Sequence, residues 1–350
     1  MFYFAATLYH LKTIPSNIII SRTDSIGDMV LALPAAKILK NNFPGIQVAF
    51  MGKQYVRAVV EACEYADAFI DVEDFLAKEI SINNKKPDAI IHFLTNKPNA
   101  VRAANLAIPL RIGTSTRFYH WYTCNKFAWV SRKNSPLHEA QLNLQLLSPL
   151  GIKNVFSYQD ISESYGLTKF EKLLPQYSSL ISNNKYNIII HPRSQGNARE
   201  WPMQHFIKLI ELLDINYYNI FISGTAGEKK SIEPLLNAAG ERVTDLTGKI
   251  NLAQFISFIA HCNGVVTNST GPLHLAAALG KNALGIYPPL HPKHAGRWGP
   301  IGANATVFAL EKKCSDCRND KCNCACMSGI EPISIKIALD NLMSKKLSAR

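Results

Sequence analysis

A chain of 350 residues and 38.9 kDa exceeds one ordinary core of 100 to 200 residues, so two domains are expected. Hydrophobic residues make up 47% and charged residues 18%, which excludes wholesale disorder and collagen-like or coiled-coil composition. The 38 basic against 26 acidic residues leave a formal charge of +12, so a polyanion is the expected partner class: nucleic acid, anionic lipid or a nucleotide sugar.

Met1 to Leu11 is apolar and aromatic but has no basic leader and no small-residue cleavage site. It reads as an extension or an interfacial foot rather than a secretory signal. No apolar run approaches the roughly 18 residues of a membrane span; Ala89 to Leu94 is typical of the strand-like pieces present. The sequons at Asn268 and Asn304 then carry no weight, and the expected location is cytoplasmic.

Short apolar runs alternate with segments of helical period, the pattern of βαβ units on a parallel sheet. In the first half, strands are expected at Asn17 to Ser21, Val48 to Met51, Phe69 to Val72, Ala89 to Phe93 and Arg111 to Gly113, with amphipathic helices at Tyr55 to Ala62 and Ala140 to Leu147. The first strand runs into Arg22-Thr23-Asp24-Ser25-Ile26-Gly27-Asp28 and an apolar stretch ending at Pro34. A dinucleotide-binding fold would show G-x-G-x-x-G here, and its absence counts against a nicotinamide oxidoreductase. Gly27 allows a tight turn or close approach to a ligand, and Asp28 then projects a carboxylate over the sheet's carboxyl edge. Alternatively, Asp24 or Asp28 simply caps the following helix.

Between Asp88 and Glu139 no acidic residue occurs, while Lys97, Arg102, Arg111, Arg117, Lys126, Arg132 and Lys133 do, interleaved with Trp121 and Trp129. This stretch suits an anionic lipid surface; a solvated face and a single-stranded nucleic-acid platform are the alternatives. The looser segment from Gly151 to Tyr186 carries no sustained period and is read as containing the linker.

The alternation restarts with strands at Asn187 to His191, Asn219 to Ser223, Gly264 to Thr267 and Ala283 to Tyr287. Helices follow at Pro202 to Leu213, Glu228 to Ala239 and Leu252 to His261, with a closing helix at Ile333 to Leu347. The strand ending at His191 empties into Pro192-Arg193-Ser194-Gln195-Gly196-Asn197-Ala198-Arg199-Glu200-Trp201-Pro202. There Arg193 or Arg199 could clamp a diphosphate, with an ordinary loop opening a helix as the alternative. Glu228 suits ribose hydroxyls or a helix N-terminus. Thr267-Asn268-Ser269-Thr270-Gly271-Pro272-Leu273-His274 leads a strand into an Ala-rich helix, converging hydroxyls and amides on a phosphate, or merely capping a core helix around His274. Cys314, Cys317, Cys322, Cys324 and Cys326 could supply a tetrahedral zinc site, but the crowded spacing favours a structural thiol cluster, and no resident metal or cofactor is expected.

Three of these segments resemble glycosyltransferase family 9, the heptosyltransferases: Asp24 to Asp28 with Pro34, His191-Pro192 through Arg199 to Trp201-Pro202, and Asn268-Ser269-Thr270-Gly271-Pro272-Leu273-His274, the most specific. The resemblance runs over about residues 17 to 345, and Ser269 departs from the Asp that many members carry. It implies an α/β fold of GT-B type, two Rossmann-like doubly wound domains facing across a cleft, acceptor side at residues 1–165 and nucleotide-sugar side at 166–350 with the closing helix. The implied reaction is inverting, metal-independent transfer of heptose from ADP-heptose to a lipopolysaccharide inner-core acceptor, an anionic lipid-linked oligosaccharide reached at the inner-leaflet membrane surface, with no nucleic acid involved.

The implied catalytic residues are Asp28 as general base and Arg199 on the donor phosphates. Donor-side residues are Arg193, Ser194, Glu228, Ser269, Thr270, Gly271 and His274; acceptor-side residues are Arg22, Asp24, Gly27, Arg117 and His138. The competing readings are a family member with another donor or acceptor, and a non-catalytic nucleotide- or zinc-binding protein using Cys314, Cys317, Cys322 and Cys326.

Overall fold

A computed structural model describes residues 15–133, 135–153, 155–196, 198–290, 293–311 and 325–348. The chain divides into two compact units, Met1–Lys169 and Phe170–Arg350. Residues 166–169, expected with the second unit, are stitched to the first: Leu167 bridges Cys63, and the amides of Thr168 and Lys169 donate to Ala62 O at 3.1 and 3.0 Å. Gly166, at φ +62° against the Tyr65 ring, makes the turn that permits this.

The first unit holds six strands: β1 (Asn17–Ser21), β2 (Gln47–Gly52), β3 (Ala68–Asp71), β4 (Ala89–His92), β5 (Leu110–Thr114) and β6 (Lys126–Ala128). They pair in the order β3-β2-β1-β4-β5-β6, every pair parallel. The second unit holds β7 (Tyr186–His191), β8 (Tyr218–Ile222), β9 (Val243–Asp245), β10 (Gly264–Asn268), β11 (Asn282–Ile286) and β12 (Ala305–Phe308), in the order β12-β11-β10-β7-β8-β9. Numbered from its own first strand, the second sheet repeats the order of the first, the doubly wound Rossmann arrangement.

The sequence dictates the sheet centres. Ile18, Ile19 and Ile20 on β1, and Ile188, Ile189 and Ile190 on β7, are β-branched and wholly buried on both faces, as parallel strands covered by helices require. Each such side chain contributes about 2 kcal/mol of apolar burial. The closing helix, Pro332–Ser348, seats Ile335 and Leu339, four residues apart, in the second unit's core beside Phe206 and Ile210. In each sheet the winding reverses next to the first strand, between β1 and β4 and between β7 and β10. The loops leaving those strands therefore diverge and leave room for a ligand.

Among the described residues, no helix is long and apolar enough to cross a membrane.

Candidate active site

In the first unit the loop after β1 turns into the short helix Ile26–Val30. Its cap is Ser25, whose hydroxyl accepts from the Asp28 amide at 3.4 Å and donates to Asp28 Oδ2 at 2.6 Å; neither Asp24 nor Asp28 is the cap. Gly27 lies buried in the first helical turn without a left-handed backbone. Asp28 follows it with its carboxylate 14% exposed.

Arg22, only 3% exposed, organises this end of the sheet. It donates from Nε to Asp24 Oδ1 at 2.8 Å, from Nη2 to Asp28 Oδ1, and from Nη1 to Glu139 Oε1 at 2.9 Å and Asn143 Oδ1 at 3.1 Å. Burial works against the Arg22 charge, but Asp24, Asp28 and Glu139 outweigh it and raise its pKa further. Glu139 and Asn143 come from the helix Glu139–Gln145, and both also receive Arg132, at 2.9 and 3.0 Å. Arg132 in turn donates to Phe93 O at 2.8 Å, which ties the loop after β4 to the loop after β1. Burial, the largest influence, and the Asp28 charge push the Asp24 carboxyl up to about 7 against the pull of Arg22. The Tyr55 hydroxyl donates to the Asp24 carbonyl.

Arg132, expected among the cations of the lipid-facing stretch, is bonded instead to Glu139, Asn143 and Phe93 O; Glu139 and Asn143 went unassigned from the sequence, although Glu139 carries a signal, being the first acid after a long acid-free stretch. His138 is instead the cap of the Glu139–Gln145 helix: its Nδ1 accepts from the Ala140 amide at 3.1 Å, and its ring packs edge-on against Tyr158. Arg117 is exposed in the loop beyond β5 and takes no part in the hydrogen bonds of the Arg22 cluster described above.

In the second unit the loops after β7 and β10 are joined through Asn268, which is wholly buried. Its Oδ1 accepts from the Trp201 amide at 2.7 Å and its Nδ2 donates to Pro192 O at 2.9 Å. Arg199 and Thr270 each lie two residues from that Trp201–Asn268 bond, so the loop's half-buried arginine and the N-terminus of the helix Gly271–Ala278 belong to one assembly. Thr270 caps this helix by backbone geometry, and its hydroxyl lies 3.0 Å from that of Thr267, which donates to His191 O at 2.7 Å. Gly271 presents its amide at the positive end of the helix dipole, and Pro272 adds no N–H. The Tyr287 hydroxyl, within electrostatic reach of Ser269, donates to Trp298 O at 2.6 Å, and His274 is buried in the helix body.

The remaining donor-side candidates hold the loop itself. Arg193 donates from Nη1 to Glu200 Oε2 at 2.8 Å and from Nη2 to Ser231 O at 2.6 Å, while its buried Nε has no hydrogen-bond partner among the described residues. The Ser194 hydroxyl donates to Glu200 Oε1 at 2.9 Å. Glu228 forms a capping box with Thr225, whose amide and hydroxyl donate to its Oε2 at 2.8 and 2.9 Å, while its Oε1 accepts from the Gln195 amide at 3.2 Å. Of the two readings offered for Glu228, the helix terminus is the one occupied. Burial, resisted by Glu228 and Glu200, keeps the His191 pKa below that of a free histidine. Cys314, Cys317, Cys322 and Cys324 lie outside the described residues, and Cys326 is buried in the second unit's core.

The family model of glycosyltransferase family 9 (heptosyltransferase) matches residues 81–328, more than half of the chain. The chain belongs to glycosyltransferase family 9. A lipooligosaccharide heptosyltransferase 2 of Campylobacter jejuni is 23% identical over 328 residues, 91% of this chain and 95% of that one. Among solved structures, an E. coli ADP-heptose lps heptosyltransferase II superposes with a TM-score of 0.75 at 20% identity, covering 95% of this chain and 99% of the other. A family 9 glycosyl transferase of Veillonella parvula gives 0.76 at 18% identity, covering 94% and 97%. The two doubly wound units are thus those of the GT-B type, and glycosyl transfer is the chemistry of the family 9 chain.

Proposed function

We propose that this family 9 chain is an inverting heptosyltransferase that moves heptose from ADP-heptose to a lipopolysaccharide inner-core acceptor. The observation that carries the reading is Asp28: a carboxylate at the carboxyl edge of β1, fixed through one oxygen by Arg22 and through the other by Ser25. Each of its oxygens keeps a further lone pair for an acceptor proton. The acceptor hydroxyl oxygen forms a bond to the anomeric carbon as its proton passes to Asp28, and the bond from that carbon to the diphosphate oxygen breaks, its electron pair leaving with ADP. Arg199 and the Gly271 amide neutralise charge on the departing diphosphate, with Thr270 at the same helix end and Ser269 beside it. This supply of cation and helix dipole supports transfer without a divalent metal, so turnover should survive chelation by EDTA.

The acceptor reading extends to the location, a cytoplasmic enzyme working against the inner leaflet, with the net positive charge in its favour. Asp28→Asn keeps the shape and removes the base, so transfer should fall by roughly 10²–10⁴ while ADP binding is retained. Near-normal turnover would remove Asp28 from the mechanism. Incubation with a panel of nucleotide sugars and truncated core acceptors, read by mass spectrometry, decides the donor and acceptor.

A further inference from the structure

The aromatic, acid-free stretch of the first unit forms a single surface at the β6 edge of its sheet. Phe118 and Trp129 are 81% and 89% exposed, and Trp121 and Tyr122 are 67% and 57% exposed, far beyond ordinary surface values for such side chains. The backbone gathers them. Trp121 and Tyr122 lie on the helix His120–Thr123 and Phe118 in the turn just before it, where its carbonyl accepts from the Trp121 amide at 3.0 Å and its ring lies 6.1 Å from that of Tyr122. The Trp121 indole donates to Ser115 O at 2.9 Å, the Ser115 amide donates to Ala128 O at 3.2 Å, and Trp129 follows directly.

The same stretch of chain carries cations. Arg117 and Lys133 are exposed, and Lys126 is half-buried. The sequence between Asp88 and Glu139 carries no carboxylate. Asp88 precedes it, occupied by the Ser16 and Asn17 amides, and Glu139, which ends it, is 1% exposed and held by two arginines. We propose that this patch is an interfacial foot that docks the enzyme onto an anionic lipid surface, with Trp121 and Trp129 lying at headgroup depth and Arg117 and Lys133 pairing with lipid phosphates.

The chemistry favours this occupant over others. Tyr and Trp are the side chains that settle at a water–hydrocarbon boundary, with an apolar ring on one side and a polar atom kept wet on the other. A second copy seated isologously would bring the same cations face to face, which costs rather than contributes. A nucleic-acid strand is tracked by rings spaced along a groove, and these rings instead cluster on one turn and one strand end. The inference gives the membrane association proposed above a specific surface, and its test needs no transferase activity, so each can fail alone.

The test is flotation of the full chain with vesicles of phosphatidylcholine alone and of phosphatidylcholine mixed with phosphatidylglycerol, at low and high salt. The expected result is binding to the mixed vesicles only, weakened by salt and accompanied by a blue shift of tryptophan emission. The double variant Trp121→Ser, Trp129→Ser should lower the partition roughly tenfold. Arg117→Ser with Lys133→Ser should lower it roughly fivefold per cation. Both variants alter exposed side chains, and unchanged circular dichroism and melting temperature check that they fold. The proposal is overturned by equal binding to neutral vesicles, by variants that float as the parent does, by a Trp129-dependent dimer in sedimentation without flotation, or by single-stranded polynucleotide displacing the chain from vesicles.

Discussion

Glu139 offers the sharpest test of the charge cluster, because one carboxylate oxygen holds two arginines. Removing it as Glu139→Ala deletes the bonds from Arg22 and Arg132, both 2.9 Å, in a place only 1% exposed. Orphaning a buried charge outright costs about 3–5 kcal/mol. Here neither cation is orphaned: Arg22 keeps Asp24, Asp28 and Asn143, and Arg132, 27% exposed, keeps Asn143 and Phe93 O. Two charge-assisted hydrogen bonds at about 1.5–3 kcal/mol each, partly replaced by water entering beside Arg132, leave a net loss of about 3 kcal/mol. For a unit of this size that is a fall of roughly 6–12 °C in melting temperature. Glu139→Gln keeps an acceptor and the shape, and should lose roughly half as much. Calorimetry on the whole chain, following the first unit's transition, measures both. If Glu139→Ala melted within about 2 °C of the parent, the cluster would be screened by solvent and the argument that Arg22 is fixed by burial would fail.

The Asp24 carboxyl, raised to about 7, should place an ionisation near neutrality in the pH–rate profile, and Asp24→Asn should remove it. Its stabilising contribution is present below the ordinary aspartate pKa and is lost as pH rises through 7, so Asp24→Asn should flatten the stability curve from about pH 4 to 8. If Asp24→Asn abolished turnover while Asp28→Asn spared it, the base would be Asp24. His92 is fully buried, stacked 5.7 Å from His120, and its pKa is pushed down to about 3, chiefly by burial and further by the neighbouring His120 and Arg111 charges. A histidine kept neutral stabilises fully above about 6.5 and progressively less toward acid, costing about 2 kcal/mol between pH 6 and 4. His92→Gln should flatten the urea midpoint over that range. Asn268→Ala strands the buried Trp201 amide and Pro192 carbonyl, so it should cost about 2–4 kcal/mol and weaken ADP binding, measured by calorimetric titration; unchanged ADP affinity would separate that joint from the donor site.

Central strands and site loops were legible for the same reason: continuous Ile and Val runs that end abruptly in polar residues mark parallel strands and their carboxyl ends. Three strands escaped notice, β6 (KFA), β9 (VTD) and β12 (ATVF). All three are sheet edges of three or four residues, paired on one side only and half-exposed, so they carry neither a buried run nor a clear alternation. The site shows the same division. Arg22 and Asp28 sit six residues apart at a strand end, within reach of local reasoning, whereas Glu139 is 117 residues from Arg22, and only the fold brings them together. Arg193 and Glu228 have chemistry suited to a ligand and also bond Glu200, Ser231 and Thr225 within the protein, contacts that no spacing rule announces.

The two units share a topology and use its reversal point for opposite electrostatics. After β1 the loop is acidic, and the acids are held in place by Arg22, whose own charge is secured by a third carboxylate donated from a distant helix. In the second unit it is the loop after β10, the strand beside its first strand β7, that carries no acid between Thr267 and Ala278, and offers instead hydroxyls, a helix dipole and, through the Asn268 joint, Arg199. A proton acceptor must be anionic and fixed; a leaving diphosphate must meet positive potential that costs no reorganisation as charge develops. Ser269→Asp would place a carboxylate just before that helix end. If Ser269 belongs to the diphosphate's surroundings, ADP affinity should fall several-fold and recover as added salt screens the repulsion. If the position instead serves the sugar hydroxyls, ADP affinity should hold while the KM for the nucleotide sugar changes. ADP titration beside donor kinetics in the same variant separates these outcomes.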